Sequence, residues 1–137
     1  MSDDEFLRGF LNCSLDPSRF GHREHLRAAW LLLRRYGSKE GGEKFVLAIK
    51  TFVAKHNARA KYHETLTRTW LAAVEDALIA VESVDDFDEF LELRPELLDP
   101  NHPEHHYSPD LLWSDTARRE MVEPDRLPFP PHVSAGR

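Results

Sequence analysis

The chain has 137 residues, enough for one hydrophobic core, and the expectation is a single domain over 1–128 with a frayed tail over 129–137. Its net charge is −6 and no lysine- or arginine-rich block offsets this, which argues against a nucleic-acid partner and against an anionic membrane surface. Cys13 is the single cysteine, so an internal disulfide and a cysteine-built zinc site are excluded.

The opening Met1-Ser2-Asp3-Asp4-Glu5 carries neither the basic nor the apolar stretch of a secretory leader. The longest apolar run, 26–33, is interrupted by Arg27 and falls far short of the roughly 20 residues needed to cross a bilayer. A cytoplasmic location is the expectation. Asp3 or Asp4 is placed to cap a first short helix with Phe6, Leu7, Phe10 and Leu11 along one edge, which Asp16-Pro17-Ser18 ends.

A second helix is expected over 21–36, with His22, His25, Ala29, Leu32, Leu33 and Tyr36 on one stripe and Gly37 as its closing glycine. Ser38 would cap a third helix to about His56, cored by Phe45, Val46, Ile49, Phe52 and Val53 and frayed at Gly41-Gly42. A turn follows at 57–61. A fourth helix over 63–81 would turn Leu66, Trp70, Ala73, Val74, Ala77, Leu78 and Val81 inward, with His63 on the same stripe. Asp85 or Asp86 caps a fifth helix, and Pro95 opens one more turn.

From Pro95 onward the composition changes, with eight of the nine prolines lying there. Asn101-His102-Pro103-Glu104-His105-His106-Tyr107 is expected to be a loop. Ser108-Pro109-Asp110 starts a short helix, Ser114-Asp115 another through Met121, and the chain from Pro124 is expected to be extended. Trp30, Trp70 and Trp113 are expected in the core rather than as a stacking platform. No repeat or sustained strand alternation is present. The fold class is all-α, a compact helical bundle of about four main helices with short C-terminal helices.

Short connections at Gly37 and at 57–61 would run helices two, three and four up, down and up. His22, His25 and His63 would then lie at one end of the bundle, with the 102–107 loop returning there. Three inward imidazoles are a reasonable first shell for a divalent transition metal, zinc or iron. Glu64 and Tyr107 are the candidate catalytic groups beside them. Two positive helix ends at such a site favour negative charge and depress imidazole pKa values. The same histidines therefore also fit a metal-free acid–base or anion pocket, with Arg23, Tyr62, Thr65 and Arg118 as ligand-binding candidates. In the plainest alternative the histidines hydrogen-bond neighbouring loops and the chain is a structural or interaction module.

The residues Phe20-Gly21-His22-Arg23-Glu24-His25-Leu26 and Lys61-Tyr62-His63-Glu64-Thr65-Leu66-Thr67, with Trp70, give the patterns FxHxxHLxxAW and KYHETLTxxW. Together with the segment from Tyr107-Ser108-Pro109-Asp110 to Val122-Glu123-Pro124-Asp125, the chain from about Phe20 to Pro128 resembles a family of small bacterial hypothetical proteins. The resemblance implies an all-helical fold marked by those two motifs and carries no activity with it. A metal-dependent small-molecule enzyme, a metal-free pocket and an interaction module are the readings that remain.

Overall fold

The Ser2 hydroxyl accepts the Glu5 N–H at 3.1 Å, and the Glu5 carboxylate accepts the Ser2 N–H at 3.2 Å. This reciprocal capping box opens α1 (Asp3–Leu11), so the cap lies one residue before the aspartates that composition favours. The structure, a computed structural model, describes residues 1–133, and the last four positions of the expected tail, 134–137, lie outside them. Among the described residues every regular element is helical, so the class is all-α as expected. The chain divides into two compact units, Met1–Tyr62 and His63–Arg137.

In the first unit α1 packs on α2 (His22–Lys55). Phe6, Leu7 and Phe10 are buried and Leu11 faces solvent. Phe10, Phe20 and Phe52 form one aromatic cluster, with ring centroids 4.8 Å apart for Phe10–Phe20 and 4.9 Å for Phe20–Phe52. Phe6 stacks beside Phe20, and Arg27 lies over Phe6, its guanidinium 4.5 Å from that ring centre and 2.7 Å from the Asp3 carboxylate.

The expected break at Gly37 is present: its φ of 82° and ψ of 177° interrupt the helical geometry of α2. A Cβ built on Gly41 would lie 2.5 Å from the Leu32 carbonyl oxygen. Residues nine apart in a straight helix are roughly 13 Å apart, so the two arms of α2 fold back on each other at Gly37. Gly41 and Gly42 are buried at this contact, which corrects the expectation of a frayed first turn. Gly41 is there because the arms touch backbone to backbone. Leu26, Trp30, Leu32, Phe45, Ile49 and Phe52 of α2 are buried, while Tyr36 is exposed.

In the second unit α3 (Glu64–Ala80) is followed by α4 (Phe87–Leu93), 3-10 turns at Pro95–Leu98 and His102–His105, α5 (Pro109–Leu112) and α6 (Asp115–Arg119). Asp86 caps α4, Ser108 caps α5 and Ser114 caps α6, each with its side-chain oxygen on a backbone N–H of the first turn. α6 and both of those turns pack on α3.

The buried face of α3 is rotated from the expected stripe. Val74 and Ala77 are buried as expected, but the face also carries Thr65, Thr69, Leu71, Ala72 and Glu75, whereas Leu66, Trp70 and Leu78 are only half-buried. Apolar periodicity misplaced the face because two threonines on it hide their hydroxyls in hydrogen bonds to backbone carbonyls. Trp113, expected in the core, is 51% exposed. The expected tail is packed as far as Val133, which is buried against Ala72 with Phe129 beside it.

Candidate functional site

His22 and His25 occupy the first turn of α2. Gly21, the N-cap, donates its N–H to the Glu24 carboxylate at 2.9 Å. The Nδ1–H of His25 donates to the Gly21 carbonyl at 2.7 Å, and its ring lies 4.4 Å from Phe20. Burial pushes the His25 pKa down, partly offset by that carbonyl, with His22 adding to the lowering. Arg23 is exposed, and Tyr62 is half-buried with the Lys50 ammonium 5.7 Å from its ring centre.

His63 is the N-cap of α3 rather than a member of its first turn. Its Nδ1 accepts the Leu66 N–H at 3.1 Å, which fixes the proton on Nε2, and Nε2 donates to the Leu112 carbonyl at 2.6 Å. Both ring nitrogens thus have backbone partners. A metal at His63 would displace the helix cap or the link to Leu112. Burial drives the His63 pKa down, the Leu112 carbonyl pulls it partly back, and Arg118 adds to the lowering. Among the described residues, no group of three or more His, Cys, Asp or Glu side chains is arranged to hold a metal ion.

The other candidates of this unit are held in structural bonds. Glu64 pairs with Arg68 at 2.8 Å, one helical turn away. The Thr65 hydroxyl donates to the Glu120 carbonyl at 2.9 Å and accepts the Val122 N–H at 3.3 Å. The Tyr107 hydroxyl donates to the Val122 carbonyl at 2.7 Å. Tyr107 is fully buried, and burial pushes its pKa up to about 12, so the phenol keeps its proton at neutral pH. The Thr65 and Tyr107 bonds fasten 120–122 to α3 and to the chain just before α5. Arg118 is exposed, its guanidinium 5.8 Å from the Trp113 ring centre.

A different group of histidines lines open space. Pro103 sits inside the 3-10 turn His102–His105, whose three-residue period brings His102 and His105 to one side. Their ring centroids are 5.2 Å apart, and His106 lies 6.5 Å from His102. Two of the rings are held: His102 stacks on Trp70 at 5.8 Å, and His106 donates Nδ1–H to the Leu127 carbonyl at 2.7 Å and lies 4.6 Å from Phe129.

These imidazoles line a cleft of about 420 Å³ with Arg94, whose remaining walls are largely apolar and include Ala72, Leu97 and Phe129. Arg94 pairs with Glu96 at 2.9 Å, and Asp76 with His132 at 2.6 Å. Burial lowers the His102 pKa first, then His105 and His106, while Glu96 and Asp99 act more weakly in the other direction. The sequence signal that marks this site is His102-Pro103-Glu104-His105-His106 itself. Its three histidines read as exposed loop residues until the proline is taken as the start of a tight turn.

Comparison with protein-family models, with curated proteins and with solved structures found no significant match, so the site stands on its geometry alone.

Proposed function

We propose that this chain is a binding protein for a small carboxylate with an apolar body, and that its site is the cleft lined by His102, His105 and His106. The observation that carries this reading is the grouping of three imidazoles and the Arg94 guanidinium on the wall of one otherwise largely apolar space. Its volume of about 420 Å³ falls within the roughly 300–1,000 Å³ range of small-molecule sites. The two acidic groups on its wall, Glu96 and Asp76, already have partners in Arg94 and His132. Arg94 keeps N–H donors beyond the one that meets Glu96, and His102 and His105 can each offer one more, which suits an anion, whereas the neutral His106 ring has spent its N–H on Leu127.

The test is a titration of the full chain with benzoate, followed through backbone and imidazole NMR resonances. Expected are shifts confined to 94–106 and 127–132, weakened several-fold in His105→Ala. That variant removes an exposed ring and leaves the fold intact. Absence of binding, or shifts centred on His22 and His25 instead, overturns the reading.

A further inference from the structure

We infer that the cleft takes up its anion together with a proton on the imidazole cluster, holding the ligand in mildly acidic solution and releasing it as the pH rises. This rests on the binding reading above. The physical basis is the spacing of the three rings. With centroids 5.2 Å and 6.5 Å from His102, the rings are close enough that a proton on one disfavours a proton on the next. Two of the rings are also partly withdrawn from water, His102 against Trp70 and His106 against Phe129, while His105 is exposed. In the empty cleft, burial and the two neighbouring rings hold the His102 pKa below its ordinary value.

The fixed charges around the cluster do not cancel that lowering. From the Pro95–Leu98 turn and the residue after it, Glu96 and Asp99 face the rings, and Glu96 is already engaged by Arg94 at the end of α4. From α3, Asp76 reaches the same rim and is engaged by His132 of the C-terminal segment. With neutral imidazoles the wall carries one cation, Arg94, against two carboxylates, Glu96 and Asp76, and a carboxylate gains little by entering. A carboxylate seated between His102 and His105 reverses both effects: it offsets their mutual repulsion, and the protonated rings become charge-assisted donors to it. Binding and proton uptake then reinforce one another, as linkage requires. The coupling lies where histidines titrate, between about pH 5 and pH 8.

Calorimetric titration of benzoate into the full chain, in two buffers of different protonation enthalpy, counts the protons taken up per ligand. Expected is a net uptake approaching one proton near neutral pH, with affinity falling by up to about tenfold per pH unit above it. His105→Asn is expected to bind more weakly and to lose most of the uptake. Arg94→Gln is expected to weaken binding at every pH while proton uptake on binding persists. Benzoate binding with no buffer dependence and a flat pH profile overturns the coupling while the binding reading survives. No benzoate binding at any pH overturns the binding reading itself, and the coupling falls with it.

Discussion

His63 joins the Leu112 carbonyl to the first turn of α3 through a single neutral imidazole, donating from Nε2 at 2.6 Å and accepting at Nδ1 from Leu66 at 3.1 Å. A ring with one proton fits this position and a ring with two does not, because Nδ1 must accept. The pairing fixes the tautomer and ties α5 to α3 across 49 residues of sequence.

His63→Ala removes the helix cap, worth about 0.5–2 kcal/mol, and leaves the Leu112 carbonyl without this donor in a buried setting, worth about 1–3 kcal/mol. The expected loss in chemical denaturation is about 2–4 kcal/mol. His63→Asn restores a good cap but is too short to reach Leu112. It should recover about 1 kcal/mol of the loss. Equal destabilisation by the two variants would show that the cap contributes nothing.

Protonation tests the same geometry. His25, His63 and His102 all have folded pKa values below the ordinary 6.5, burial being the largest cause for each. A group whose folded pKa is depressed contributes its full stability above the unfolded value and loses it as the pH falls through the folded one. In that window the unfolded chain binds more protons. The unfolding midpoint in urea should therefore hold steady above pH 6.5 and decline below it. The exposed carboxylates of Glu5 and Asp16, also lowered, act only below their ordinary 4.5 and 3.8. A midpoint that stays flat until that lower range would remove the histidines as the cause.

At the fold-back of α2, two alanine substitutions separate backbone strain from backbone crowding. Gly37→Ala meets open space but must hold φ at 82° with ψ at 177°, a region left to glycine, at about 1–3 kcal/mol. Gly41→Ala sits in ordinary helix, where alanine is favoured by about 1 kcal/mol, yet its methyl would lie 2.5 Å from the Leu32 oxygen. That neighbour is backbone and has no rotamer to yield. Thermal denaturation should rank Gly41→Ala as the more damaging of the two. The reverse order would mean that the arms separate easily at that point.

The helices and caps were legible because they depend on local chemistry: Ser108, Ser114 and Asp86 stand where a cap is needed, and Gly37 where the helix must break. The site was less legible. His22 and His25 share an apolar stripe, but His25 turns Nδ1 back to its own helix start, and no helical wheel shows that bond. His102 and His105 come together through a three-residue period in a proline turn, which a search for period 3.6 passes over. The buried face of α3 was misread for a related reason: a threonine counts as polar until its acceptor is known. Thr65 finds that acceptor 55 residues away.

Thr65 and Tyr107 then make a last prediction, one that separates holding the fold from working on a ligand. Both hydroxyls donate to carbonyls of the same segment, Thr65 to Glu120 and Tyr107 to Val122, and Thr65 also accepts the Val122 N–H. Thr65→Val keeps the shape and strips these bonds, at about 1–3 kcal/mol, and Tyr107→Phe should lose about 1 kcal/mol or slightly more. Because both act on 120–122, freeing the segment with one substitution removes part of what the other can lose. The double variant should be less destabilised than the sum of the two by about 0.5 kcal/mol or more. Benzoate affinity in the His102 cleft should be unchanged in each variant that remains folded. A Tyr107→Phe protein with full stability and lost binding would return Tyr107 to the list of residues that meet the ligand.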